Sequence, residues 1–387
     1  MPVSRLTGIP PTIFSTMSAL AVRTGAINLG QGFPDTDGPE GLIAAAQQAM
    51  ADGANQYAPG IGIPPLRAAI ARHQQRHYGI ELDPDREVCV TTGCTEAVAA
   101  ALLGLVEPGD EVVVLEPYYD SYVAMLQVAG AVRRPVRLRA PDFRLDPEEL
   151  RAAVTPRTRF VLLNTPHNPT GTVLTDDELT AVADVAVEHD LTVITDEVYE
   201  HLVFDGRRHT PISTLPGMAE RTLTLSSVGK SYSVTGWKIG WATGPAHLVA
   251  AVLDAKQWLS FCSGTPFQHA VAHALDHLDG WPAELAASLQ TRRDLLCAGL
   301  EGIGLDPRVP EGTYFTLTDV GHLGWRDGLE FCEALPERAG VVAIPAQGFH
   351  ENSEAPAVRH LVRWAFCKEP DVIEDGLRRL GGAILEK

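Results

Sequence analysis

Short β-branched apolar runs alternate with helical stretches through the middle of this 387-residue chain, which predicts an α/β fold on a mostly parallel sheet. Two further observations sharpen that prediction. Unusual polar residues gather just after the strand-like runs, where open parallel sheets bind their ligands. From about residue 286 the pattern changes to a helix followed by isolated strand-like pieces, which predicts a smaller α+β domain after the large one.

The first 40 residues, rich in Gly and Pro, read as an arm that packs on something larger. Residues 41–285 form the predicted large domain. Buried strands are expected at 87–91, 111–115, 159–163, 191–195 and 221–225, with helices between them, for example 95–106 and 176–189. A long helical stretch is expected over 245–277, interrupted by Gly280-Trp281-Pro282. Residues 286–387 form the predicted small domain, with a helix to about 302 and strands around 313–317 and 360–366.

A hydrophobic fraction of 45% and a charged fraction of 21% fit a soluble globular protein with room for two domains. The net charge of −18 argues against nucleic acid or an anionic membrane surface as partner, so an anionic cofactor would need local cations. The N-terminus lacks a secretory pattern, and no apolar run approaches the ~18 residues of a membrane span. Cys89, Cys94, Cys262, Cys297, Cys332 and Cys367 show no paired spacing, and they read as reduced thiols of a cytoplasmic protein. His73 with His77, and His269, His273 and His277, recur every four residues, one helix face each. Gln74 and Ala270 stand where a zinc-protease helix carries its glutamate, so the expectation is surface histidines and no bound metal.

The polar residues at the strand ends carry the chemistry. Gly93-Cys94-Thr95 follows the first predicted strand, Glu116 to Asp120 the second, Asn164 to Pro169 the third, Asp196 the fourth, and Ser227 with Lys230 the fifth. A lysine ending a buried strand is costly unless its ammonium is paired or covalently consumed, which makes Lys230 a candidate Schiff-base lysine. Gly229-Lys230-Ser231 is not the end of a nucleotide phosphate loop, because Thr224 stands where that motif needs glycine. Asp196 ends an apolar run and is costly there as an unpaired carboxylate; its plainer role is a helix cap. Arg363, in an apolar strand-like run, calls for a bidentate anionic partner, with a structural salt bridge as the alternative.

These residues lie in Asn28-Leu29-Gly30-Gln31-Gly32-Phe33-Pro34-Asp35, Asn55-Gln56-Tyr57, Asn168-Pro169-Thr170-Gly171, Asp196-Glu197-Val198-Tyr199, Ser227 to Lys230, Gly236-Trp237-Lys238 and Arg363. With those motifs the chain resembles the class I/II aminotransferases, pyridoxal 5′-phosphate enzymes of fold type I, over nearly its full length. It is most similar to the branch of kynurenine, methionine and N-succinyldiaminopimelate aminotransferases. The resemblance implies transfer of an amino group from an L-amino acid to a 2-oxo acid by a ping-pong route. It also implies a homodimer with shared active sites.

By the same resemblance Lys230 holds the cofactor and moves the proton, while Asp196 faces the pyridine nitrogen and keeps it protonated. Tyr199 and Asn168 reach the ring hydroxyl, and Tyr119 stacks on the ring, with Tyr118 as the near alternative. Gly93, Cys94, Thr95, Ser227 and Lys238 hold the phosphate, through N–H groups at a helix start, hydroxyls and a cation. Tyr57 reaches the phosphate of the neighbouring subunit. Arg363 binds the substrate carboxylate, helped by backbone near Gly32 and by Asn168. The side-chain pocket draws on the arm near Phe14 to Ala19, on Tyr119, on residues near Tyr57 of the second chain and on Phe349. No second arginine clearly marks a dicarboxylate substrate, Arg5 and Arg23 being the arm's candidates, and an aromatic or sulfur-containing substrate suits the aromatic pocket better.

Two other outcomes share this scaffold: β-elimination from a sulfur-containing amino acid, and γ-chemistry on a substrate such as S-adenosylmethionine. Lys230, Asp196 and Arg363 do not separate them from transamination. A cofactor-sensing transcription regulator needs a basic DNA-binding domain ahead of the pattern, which begins almost at residue 28.

Overall fold

The computed structural model describes Thr7, residues 12–353 and residues 355–385. Arg5 lies outside the described residues. Helix α1 (Ile13–Thr24) starts on Thr12, whose hydroxyl accepts the Phe14 N–H, and stops at Gly25, which supplies the left-handed φ of 65°. Strand β1 (Ile27–Asn28), α2 (Glu40–Ala51) and α3 (Pro64–Tyr78) lead to β2 (Val88–Thr92) and α4 (Gly93–Leu105). Then come β3 (Glu111–Glu116), α5 (Asp120–Ala129), β4 (Val132–Arg137), α6 (Pro147–Ala153), β5 (Thr158–Asn164), α7 (Asp176–Glu188) and β6 (Thr192–Asp196). Strand β7 (Thr222–Ser227) passes directly into the short α8 (Val228–Ser231), and β8 (Ile239–Thr243) follows.

Strands β2 to β8 form one seven-stranded sheet in the order β2-β8-β7-β6-β5-β3-β4. Strand β8 alone runs antiparallel to its neighbours, and the other pairings are parallel. Helices on both faces bury the sheet, which is why β3 reads Glu-Val-Val-Val-Leu-Glu and is buried at every position. Register then levels the strand ends: Asn164 lies opposite Asp196, Asp196 opposite Leu225, and Ser227 opposite Gly240. The carboxyl ends of β5 and β6 are therefore level, and β7 runs two residues further, to Ser227. Strands β4 and β8 were not among the expected ones, since Pro135 and three arginines mask β4 and the glycine-rich lysine motif runs straight into β8.

The helix expected over 245–277 is two helices, α9 (Ala246–Lys256) and α10 (Thr265–His277). The break has a physical cause: buried Lys256 turns its ammonium onto the carbonyls of Phe261, 2.7 Å, and Gly60, 2.9 Å. Phe261 takes φ 63° within the break, and Pro266 sits in the first turn of α10, where its missing N–H costs nothing.

Helix α11 (Trp281–Gly302) leads to the C-terminal part: β9 (Phe315–Asp319), α12 (Gly328–Ala339), β10 (Val341–Val342), β11 (Ile344–Pro345), β12 (Leu361–Ala365) and α13 (Pro370–Leu385). Strands β11, β12 and β9 make an antiparallel sheet in that order, while β1 pairs in parallel with β10 and so fixes the arm to this part. His73, expected on a helix surface, is only 2% exposed, because α3 packs on α10 and turns that ring inward toward Trp241. His77, His269, His273 and His277 are exposed. All six cysteines are free, and among the described residues no helix is long and apolar enough to cross a membrane.

Candidate active site

Strand β7 ends at Ser227, and the single turn of α8 that follows carries Lys230. Its ammonium donates to the Tyr314 hydroxyl at 2.8 Å and to the Gly32 carbonyl at 3.3 Å, and the Tyr314 hydroxyl donates to the same carbonyl at 2.6 Å. None of these acceptors is a carboxylate. Burial therefore lowers the Lys230 pKa to about 8, with the Arg363 and Lys238 charges acting in the same direction.

Asp196 lies on the cavity floor. One oxygen accepts the Tyr122 hydroxyl at 2.6 Å and the other the Val198 N–H at 3.2 Å, and the Cys94 thiol adds a third donor. Burial outweighs these donors and raises the carboxyl pKa above its ordinary value, so a cationic partner would be strongly favoured here. Burial likewise raises the Cys94 thiol well above its usual range.

At the mouth, Lys238 reaches the Thr95 hydroxyl at 3.4 Å beside the first turn of α4. Gly93 opens that helix at φ 72°, and a Cβ there would stand 3.0 Å from the Lys238 Cε and Nζ. The resulting glycine, helix N-terminus, hydroxyl and cation make a cradle for an anion.

On the opposite wall β12 presents Arg363, 1% exposed. Its guanidinium donates to Asn168 Oδ1 and to the Gly30 carbonyl, both at 2.9 Å, while its Nε has no partner. The rings of Phe315, Phe14 and Phe349 stand 3.8, 4.8 and 5.3 Å from its carbon. No carboxylate pairs with Arg363 among the described residues, so the salt-bridge alternative fails.

The fold brings Gly32, Gly93, Cys94, Thr95, Tyr119, Asn168, Asp196, Tyr199, Ser227, Lys230, Lys238 and Arg363 around one cavity of about 370 Å³. Tyr119 faces it, whereas Tyr118 is 4% exposed and its backbone is tied to the Phe349 carbonyl. Tyr57 does not reach it: the ring is 84% exposed and packs edge-on against Phe261. Arg23 is exposed in the last turn of α1. Sequence reasoning missed Tyr122, Tyr314 and Phe315, whose types and positions look like ordinary core aromatics.

The donor set fits pyridoxal phosphate. A depressed lysine, an anion cradle at the helix start and a buried carboxylate at the floor match its aldehyde, phosphate and ring nitrogen in kind. Comparison with known proteins agrees. The family model for aminotransferase class I and II matches residues 24–379. The solved N-succinyldiaminopimelate aminotransferase of Mycobacterium tuberculosis is 55% identical, with a TM-score of 0.96 over 98% of this chain and 99% of that one. A methionine aminotransferase structure from Escherichia coli is 40% identical, with a TM-score of 0.94 over 98% of this chain and 99% of that one. Kynurenine–oxoglutarate transaminase 3 of Mus musculus is 36% identical, covering 96% of this chain and 87% of the mouse protein. The chain belongs to the class I and II aminotransferases, pyridoxal-phosphate enzymes of fold type I that move an amino group from an amino acid to a 2-oxo acid.

Proposed function

We propose that this aminotransferase takes its substrate by the α-carboxylate on Arg363 and prefers an L-amino acid with an aromatic or sulfur-containing side chain. One observation carries the reading: a buried guanidinium with no carboxylate partner among the described residues, walled by Phe14, Phe315 and Phe349. Such a cation is stabilised by a bidentate anion, and the surrounding rings favour an apolar group over a second carboxylate.

In this reading Lys230 attaches the cofactor, and Asp196 meets the ring nitrogen. Asn168 and Tyr199 serve the ring hydroxyl, and Tyr119 stacks on the ring. Gly93, Cys94, Thr95, Ser227 and Lys238 take the phosphate, and the Gly32 backbone helps Arg363 with the carboxylate. When bound, pyridoxal phosphate supplies a conjugated cationic ring that accepts the electron pair left at the substrate Cα. Lys230, once freed from the cofactor, would carry the proton between the substrate Cα and the cofactor C4′, and burial, which lowers its pKa, favours the neutral amine that this needs. Donor and acceptor use Arg363 in turn.

The active unit in this proposal is a homodimer in which Tyr57 of each chain completes the other's phosphate site. Its exposure supports that role, together with exposed Trp258, Leu259 and Phe261 nearby in the chain fold. Six free thiols support a cytoplasmic location. The proposed division is an arm at 1–40, a cofactor domain at 41–285 and a small domain at 286–387, supported by the separate sheets; its second boundary falls inside α11.

The 55% identity to the mycobacterial N-succinyldiaminopimelate enzyme favours a second reading, in which the donor carries a long acylated chain. A panel of methionine, phenylalanine, kynurenine, glutamate and N-succinyldiaminopimelate against 2-oxoglutarate and pyruvate decides between them. Aromatic and sulfur donors should give the highest kcat/KM. A tenfold advantage for N-succinyldiaminopimelate replaces the first reading with the second. Arg363→Ala should lose roughly 2–5 kcal/mol of transition-state binding, the usual cost of breaking a buried charged contact. Unchanged kcat/KM in that variant would remove Arg363 from the substrate site.

A further inference from the structure

Three imidazoles converge outside the active-site cavity. His73 and His77 lie four apart on α3, so their rings share a face, with centroids 4.6 Å apart. His201, in the turn after β6, adds the third ring, 4.9 Å from each of the other two. Its Nε2 stands 2.8 Å from the His73 Nε2. One ring nitrogen of each histidine lies within 4.8 Å of the others.

We propose that His73, His77 and His201 form a binding site for a divalent transition metal ion, zinc first. Imidazole is the preferred ligand of zinc, copper and nickel, and three histidines with an open fourth position make a recurrent zinc site. Two Nε2 atoms at 2.8 Å share one proton, and the third ring is held separately through its own Nε2 by Asp279. Tetrahedral zinc sets its nitrogens about 3.3 Å apart, so the rings need only small side-chain rotations to admit the ion.

The surroundings suit a cation. The His77 Nε2 is 2.9 Å from an Asp279 oxygen, so a carboxylate lies directly against the cluster. Arg76, the nearby cation on the same helix, is held by Asp279 at 3.1 Å and by the Leu275 carbonyl at 2.6 Å. The Gln74 amide lies 3.4 Å from the His73 Nδ1, where it can orient that ring, and the Tyr78 ring stacks on His201. Exposed His77 provides the entry route. Metal entry shifts the shared proton to the Nδ1 of its ring and needs no change of oxidation state.

A bound ion would clamp α3 to the turn that follows Asp196 and Tyr199. The test is calorimetric titration of the tag-free, cofactor-loaded enzyme with zinc chloride, with a chromophoric chelator as competitor. One tight ion per chain is expected, with a rise in Tm on loading. His77→Ala and His201→Gln should each weaken binding by more than roughly 100-fold, since even the loss of an outer-shell partner costs tenfold or more. His273→Ala, in the exposed histidine pair on α10, should leave the affinity unchanged. Absence of tight zinc binding overturns the proposal, and so does an affinity that survives both His77→Ala and His201→Gln.

Discussion

At the residue scale the active site turns on one amine whose surroundings make it neutral at a modest pH. Burial lowers Lys230 to about 8, with the Arg363 and Lys238 charges acting the same way, and its nearest partners, the Tyr314 hydroxyl and the Gly32 carbonyl, carry no charge to oppose it. Only the neutral amine attacks an aldehyde, so cofactor capture by the apoenzyme should speed up as pH rises and level off above a midpoint near that value. Stopped-flow capture rates across pH check this, and a midpoint close to that of free lysine would count against it. Tyr314→Phe removes an acceptor that favours the ammonium, so the midpoint should move down. The same variant loses the group that positions the amine, a charged hydrogen bond of roughly 1.5–3 kcal/mol, and kcat should fall about tenfold or more. A structural role alone would lower Tm and leave the pH midpoint in place.

At the scale of elements, the site is built where α4 meets β8. A Cβ on Gly240 would lie 2.7 Å from the Gly93 carbonyl carbon and 2.8 Å from both the Cys94 nitrogen and the Ser226 oxygen, so the helix start is pressed directly onto the strand. Gly240→Ala should lift the N-terminus of α4 and cost about 1–3 kcal/mol, read from urea unfolding, together with weaker retention of the cofactor. Gly236→Ala, which meets nothing within 4 Å, should leave unfolding unchanged and serves as the control. Equal stability of the two variants would show that the close approach is not a constraint.

For the whole molecule, the site is a meeting of three parts of the chain. Lys230 and Asp196 come from the seven-stranded sheet, Arg363 from the C-terminal sheet, and Gly32 from the segment that β1 fixes to β10. The proposed dimer adds a fourth contribution, Tyr57 of the second chain. Trp258, 83% exposed, and Leu259, 51% exposed, offer apolar surface for that contact. Trp258→Asp combined with Leu259→Ser should give a folded monomer by sedimentation and circular dichroism, with transamination lost. A wild-type enzyme that sediments as a fully active monomer would sink the shared-site proposal.

The sequence alone determined the parallel sheet and most of its strands, because strands buried on both faces must be near-continuous Val, Ile and Leu. It also singled out Asp196, Lys230 and Arg363, because a charge at the end of or within an apolar run is costly without a partner. Tyr314 and Tyr122 were not legible, since a tyrosine that bonds a catalytic lysine and one that merely packs look identical until the backbone aims them. The break between α9 and α10 was hidden for a related reason: it depends on Lys256 finding the Gly60 carbonyl, 196 positions away. His201 lies 128 positions from His73, and no local periodicity brings them together. Local pattern records how each segment is buried, and it therefore specified the sheet and its costly charges. Which side chains face one another across the cavity and beneath α3 was decided only by the packing of segments distant in sequence.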